Sequence, residues 1–316
     1  MIKLDYQVQL AYEVDGPDGA DFVFNLHAAQ TPCQVVEHER LTLNQAVTPE
    51  VATDPATASR FMRVHAHPGP LEIRYEAVVR IDHHKADPAT LQEVPVRCMP
   101  LEVMQYVYPS RYCQSDRLLR FAFNAFGGLR QGYSRVQAIQ DWVQRNVTFS
   151  SNTTTGTTSA VDTLLEQVGV CRDFTHLMIA LCRAVNIPAR IVTGTDYGAD
   201  PILGPPDFHA YVEAYLDDRW YLFDAAGTGI PMGFLRLGTG RDAADVAFAT
   251  MFGPVRSSAP VVHVEPITGP GLEWPHVGPH ALSTTPPLAW GPDAHAAFAG
   301  AARPAAPWGA ARQLPD

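Results

Sequence analysis

Leu4, Tyr6, Val8, Leu10, Tyr12 and Val14 alternate with mostly polar neighbours along the start of the chain. A period of two places all six on one face of a half-buried β-strand. Leu71, Ile73, Tyr75, Ala77, Val79 and Ile81 repeat the pattern. Shorter strands are expected over Phe22 to Leu26, Val35 to Leu43 and Phe61 to Ala66. Turn-rich pieces such as Asp15-Gly16-Pro17-Asp18-Gly19 and His67-Pro68-Gly69-Pro70 separate them. One-sided strands joined by short turns predict an antiparallel β-sandwich over residues 1–93.

The periodicity then changes. Residues 94–114 carry Pro95, Pro100 and Pro109 without a clean period and read as a connector. Ser115 is placed to cap a helix bearing Leu118, Leu119, Ala122, Phe123 and Phe126, stopped at Gly127-Gly128. Ser134 is placed to cap a second, with Val136, Ile139, Trp142 and Val143 on one face. After a Thr-rich loop at Ser150 to Ser159, a third helix is expected from Ala160 to Val168, with Gly169 just past its end. A fourth begins at Cys171, carries Phe174, Leu177, Met178, Leu181 and Cys182, and ends before Pro188. Strands return at Ala189 to Thr193, Phe208 to Leu216, Trp220 to Asp224 and Phe234 to Leu237. Residues 115–264 therefore read as an α+β core. The last segment, 265–316, holds 10 Pro and 6 Gly in 52 residues. That composition predicts a tail without a core of its own, disordered or draped on the surface.

Composition narrows the chemistry. The chain has 316 residues, enough for about two domains. Lys plus Arg is 23 and Asp plus Glu is 33, a net charge of −10, with no basic run. Such a chain lacks the cationic footprint that nucleic acid or an anionic membrane requires, and neither is an expected partner. No apolar run approaches the roughly 18 residues of a membrane span, and no basic-then-apolar leader opens the chain. Five cysteines without a CxxC resemble neither a disulfide framework nor a zinc site. A reduced, cytoplasmic protein is the expectation. Among the histidines, His65 and His67 share a strand face but His83 and His84 do not, so no metal or other cofactor is expected.

Three segments carry candidate chemistry. In Gly169-Val170-Cys171-Arg172-Asp173-Phe174, Cys171 opens a helix just after a glycine. The unpaired N–H groups there, with the helix dipole, favour a thiolate and could hold an oxyanion. The bland alternative is a small buried hydrophobe, the role expected of Cys182. In Asp207-Phe208-His209-Ala210-Tyr211-Val212-Glu213, His209 falls on the polar face of a strand with Tyr211, Glu213 and Tyr215, where it could act as a base. Asp224 ends an aromatic strand, Trp220-Tyr221-Leu222-Phe223, where a carboxylate needs a partner. A tight hairpin with Asp217-Asp218 at its tip pairs Leu216 with Arg219. Asp224 then lies opposite Tyr211 and diagonal to His209, while a register shifted by two puts it directly opposite His209, and either places the two within side-chain reach.

A thiol, an imidazole and a carboxylate thus follow in the order Cys171, His209, Asp224, spread over 53 residues. Papain-type enzymes separate their cysteine from its partners by about 130–150 residues, so the spacing differs from theirs. Gly169-Val170-Cys171-Arg172-Asp173-Phe174, Ile187-Pro188-Ala189-Arg190, Asp207-Phe208-His209-Ala210 and Trp220 to Asp224 resemble the bacterial transglutaminase-like superfamily, whose members include candidate cysteine proteases. The N-terminal strands, with Pro109 to Cys113, resemble that family's bacterial N-terminal region. Gly240 to Asp245 resembles a further signature. The resemblance covers roughly residues 1 to 265. It implies a transglutaminase-like (papain-like cysteine proteinase) α+β core and a catalytic triad of Cys171, His209 and Asp224. It also implies a peptide or other amide-containing substrate. A calcium loop of the Asp-x-Asp-x-Asp-Gly kind, which would suit calcium-triggered crosslinking, is absent from the sequence. The expected activity is amide hydrolysis through a thioester on Cys171. Acyl transfer to an amine, or a peptide-binding module with a remnant triad, are the alternatives.

Overall fold

The computed structural model describes residues 1–198 and 207–288. The chain opens with β1 (Ile2–Val14), β2 (Ala20–Phe24), β3 (Gln34–Leu43), β4 (Glu50–Thr53), β5 (Arg60–Ala66), β6 (Gly69–Ile81) and β7 (His84–Ala86). Helices and short strands follow: α1 (Leu101–Met104), α2 (Ser115–Phe126), α3 (Tyr133–Asn146), β8 (Thr148–Phe149), α4 (Ala160–Glu166), β9 (Val168–Gly169) and α5 (Cys171–Ala184). Next come β10 (Ala189–Asp196), β11 (His209–Leu216), β12 (Arg219–Phe223) and β13 (Phe234–Gly240). The last strands are β14 (Ala249–Phe252), β15 (Val255–Ser257), β16 (Val261–Pro266) and β17 (Ala281–Ser283).

The N-terminal strands form an antiparallel sandwich. In one sheet β1 and β6 pair along their full length, with β3 outside β6. The second sheet has the order β14-β2-β5-β4. Alternate residues of β1 and β6 are buried, as the period of two requires. Tyr6, Phe22, Phe24 and Tyr75 fill the gap between the sheets. Each such side chain contributes about 1.5–3 kcal/mol by leaving water.

Neither sheet closes with N-terminal residues alone. β14 pairs with β2, β15 and β16 pair with β1, and all three come from residues 249–266. The core segment read as 115–264 therefore overruns, because its last strands complete the sandwich. The chain must return, since β1 and β2 would otherwise present unpaired edges.

The α+β core has α5 packed on the antiparallel sheet β12-β11-β10-β13. Ile179, Leu181 and Ala184 of α5 share a cluster with Ile191, Val212, Ala214 and Phe223. The helices begin close to the expected positions, but their punctuation differs. Gly132, not Ser134, caps α3, at φ 114°. Gln167, not Gly169, takes the left-handed position that ends α4. Gly169 is instead the last residue of β9, beside the start of α5.

The connector is part of the core rather than a tether. Val94, Val103 and Tyr106 are buried against Tyr215 and Trp220. Residues 265–288 are draped and pinned. β17 pairs with β7, Thr284 Oγ1 accepts from Arg236, and Leu288 N–H donates to Asp218 O. The rest of the expected tail, 289–316, lies outside the described residues.

Candidate active site

The start of α5 is locked by the residues around Cys171. Asp173 accepts from Val170 N–H at 2.9 Å, and Thr154 Oγ1 donates to its other oxygen at 3.1 Å. A Cβ on Gly169 would lie 2.7 Å from the Asp173 Cβ, which is why a glycine precedes this helix. Arg172 donates to Thr154 Oγ1 and Thr155 O, both at 2.8 Å. Tyr112 donates to Gly156 O at 2.6 Å. The Thr-rich loop is thus fastened to the helix start.

Arg241 pairs with Asp245, and Asp242 accepts from Tyr112 N–H.

Two contacts set the helix against the sheet. Thr175 Oγ1 donates to Ala210 O at 3.0 Å. Thr175 is one turn after Cys171 and Ala210 is next to His209, so this bond brings the thiol and the imidazole to the same end of the core. At the other end Arg183, almost fully buried, donates to the carbonyls of Ala189, Tyr108 and Arg241.

β11 and β12 pair in the expected register, Leu216 with Arg219 and Val212 with Phe223, about a turn at Asp217-Asp218. His209 Nε2 lies 3.3 Å from Asp224 Oδ1. The Cys171 thiol lies near enough to the imidazole to help raise its pKa. All three predicted residues are therefore brought together. Asp224 accepts from Ala226 N–H at 3.1 Å and Gly229 N–H at 2.8 Å, while Gln144 holds its carbonyl. Burial pushes the Asp224 carboxyl up, but the His209 bond and the backbone amides of Gly229 and Gly227 outweigh it and hold the group below its ordinary value. Burial likewise pushes the His209 imidazolium down, and Asp224 and Cys171 outweigh it, so its pKa stands well above the ordinary 6.5. The environment favours a charged imidazolium beside an ionised Asp224.

The other cysteines differ. Cys113 and Cys182 are fully buried, and burial pushes the Cys113 thiol up to about 12. Cys182 sits in the core, as its place in the apolar stripe predicts. Cys171 alone of the five opens a helix, and it is partly exposed.

The strand face read as polar is buried. Glu213, fully buried, accepts from Arg190 Nε at 2.7 Å and from Arg236 Nη1 at 3.2 Å. The Arg190 guanidinium also stacks on Trp220, 4.1 Å from its ring centroid. The expected division into wet and dry faces fails because α5 covers one face while the connector and the returning tail cover the other.

One residue at the site, Asp196, lies beyond what the sequence pattern marks, and its partner is Tyr211 on the His209 face. Asp196 is buried at the end of β10, and Tyr211 donates to it at 2.8 Å. An aspartate ending an apolar strand was the signal that marked Asp224. At Asp196 the same signal is hidden, because the apolar pattern predicts a strand only to Thr193, three residues short of its end.

Two family models match the chain. One, bacterial transglutaminase N-terminal domain, covers residues 2–102, and the other, the transglutaminase-like superfamily, covers residues 120–225. Among solved structures, a Cytophaga hutchinsonii protein described as a candidate cysteine protease is similar with a TM-score of 0.82 and 36% identity. The match covers 89% of this chain and 97% of that one. Among curated proteins, an uncharacterised Mycobacterium leprae protein is 30% identical over 116 residues, 35% of this chain and 42% of its own. One from Mycobacterium tuberculosis is 31% identical over 125 residues, 35% of this chain and 40% of its own. The match thus spans about two fifths of the length of these curated relatives.

Proposed function

The chain belongs to the transglutaminase-like superfamily and carries a bacterial transglutaminase N-terminal domain, and from that premise we propose that it is a cysteine-dependent amide hydrolase. The observation that carries the reading is His209, its Nε2 3.3 Å from Asp224 Oδ1 and its pKa raised by Asp224 and Cys171 together.

His209 takes the thiol proton, and the Cys171 sulfur attacks the amide carbonyl carbon. The oxygen gains charge and meets the Cys171 N–H in the open first turn of α5. The imidazolium returns the proton to the leaving nitrogen, the C–N bond breaks, and a thioester remains on Cys171. Water, deprotonated by His209, then attacks the thioester, releases the acid and restores the thiol. Asp224 does not move a proton; it orients the ring and stabilises its charged form. Hydrolysis is favoured over transfer to an amine because Cys171 is partly exposed and water is the ever-present acceptor.

The test is the pH dependence of iodoacetamide alkylation at Cys171, in the natural protein and in His209→Ala. A working pair labels readily below about pH 7, well under the ordinary thiol pKa of about 8.5, and the variant does not. Slow labelling of both, rising only above about pH 8, would leave the thiol unactivated and favour a peptide-binding module.

A further inference from the structure

His209 is flanked on its face of the sheet by two groups that the three catalytic residues leave without a task. Asp196 ends β10 and is 5% exposed. Tyr211 lies two residues beyond His209 on β11, on the same face, and is fully buried. Its ring stands edge-to-face with the imidazole, the centroids 4.9 Å apart and the planes at 88°. Its hydroxyl donates to Asp196 Oδ2 at 2.8 Å.

The backbone is shaped around this pair. The register between β10 and β13 slips at Thr193/Gly194, and Gly194 stands opposite His209. Such bulges re-aim side chains next to active sites. Across the cluster, Gly229 N–H donates to Asp224 Oδ2. A Cβ on Gly229 would lie 2.0 Å from Asp196 Oδ2 and 2.5 Å from the Tyr211 hydroxyl oxygen. One glycine therefore packs against both carboxylates, and only a glycine fits.

The two carboxylates are not equivalent. Asp224 has backbone amides and the imidazole and is held ionised. Asp196 has the Tyr211 hydroxyl, and burial pushes its carboxyl up against the pull of His209. The groups coupled to the imidazole are Cys171 from α5, Asp224 after β12, Asp196 from β10 and Tyr211 from its own strand.

We propose that Asp196 and Tyr211 are positioning residues for His209: the Tyr211 ring fixes the plane of the imidazole, and its hydroxyl holds the Asp196 carboxylate where that charge favours the imidazolium. The proposal rests on the catalytic reading of Cys171 and His209. Neither residue touches the reacting atoms; both act through the imidazole.

The test is alkylation of Cys171 by iodoacetamide in the full chain, between about pH 4 and pH 10, read at the Cys171 peptide. The variants are Asp196→Asn, Tyr211→Phe and the two combined. Asparagine keeps the shape and still accepts from Tyr211 but carries no charge. Phenylalanine keeps the ring but leaves Asp196 without its donor, so that its carboxyl protonates more readily. The expected result is that the alkaline step, where the imidazolium loses its proton, moves down by about one pH unit in Asp196→Asn and in the same direction by less in Tyr211→Phe. The combined variant moves no further, because both act through one charge.

Folded single variants whose step stays in place overturn the proposal. So does failure of both single variants to fold, which would assign the pair to holding the sheet end together. If the natural protein labels no differently from His209→Ala, the catalytic reading itself fails, and that outcome is visible before any Asp196 variant is compared.

Discussion

The sandwich sheet around β1 and the core sheet around β11 handle charge differently. On β1 the inward residues are apolar and the charged ones sit at the surface, as in the Lys3–Glu37 pair. On the neighbouring sheet, Arg63 and Glu50 pair where each is about two-thirds exposed. β11 has no wet face. After His209 every residue is buried, and Glu213 lies between two arginines with no exposure at all. A sandwich sheet has one dry side, so its charges remain hydrated and cost little. The core sheet lies between α5 on one side and the connector and tail on the other, so each charge on it needs a built partner. The residues with strongly perturbed protonation at the candidate site belong to this second regime.

The largest expected effect that probes this difference is Glu213→Ala. It strands Arg190 and Arg236 in a dry interior and should cost about 3–5 kcal/mol. Urea unfolding measures it as a lowered midpoint with an unchanged slope. A loss no larger than that of a surface pair would break the comparison.

Acid should sharpen it. Burial pushes His27 and His83 down to about 4 and His176 down to about 3. The unfolded chain binds these protons near pH 6.5 and the folded chain does not. Stability is therefore complete above about 6.5 and falls as the pH drops toward 4, by an amount on the order of 1–3 kcal/mol per histidine. His209 works in the opposite direction, since its raised pKa adds stability below about 6.5 that is lost as the pH rises through its folded value. Thermal unfolding between about pH 7 and pH 4 checks the sum. A flat profile would mean that the buried imidazoles are hydrated.

The smallest effect is Arg63→Ala, which removes an exposed ion pair and should change stability by less than about 0.5 kcal/mol, measured by the same unfolding curves. A loss approaching that of Glu213→Ala would erase the distinction between the two sheets.

Much of the candidate site could be read along the chain. Cys171 announces itself as a thiol behind a glycine at a helix start. His209 and Asp224 follow from alternation and from a two-residue hairpin, whose short tip leaves few registers. Asp196 did not appear, because its strand continues through Gly194 and Thr195, where the apolar pattern lapses at a bulge. Glu213 was legible as a residue but not as a buried one. Its partners Arg190 and Arg236 lie 23 residues away on either side and arrive only when the sheet forms.

The sequence by itself determined the local elements: the long strands by their period of two, α5 by its apolar stripe, and the order of thiol, imidazole and carboxylate. These depend on neighbours within a few residues, which the chain order supplies. Only the tertiary structure decided that residues 249–266 close the N-terminal sandwich, that the connector and tail seal the second face of the core sheet, and that Asp196 comes to rest against Tyr211 beside His209. Each of these joins segments far apart in the chain or depends on how strands slip past one another. Burial and charge pairing are set by what packs across a gap, and no local period records that.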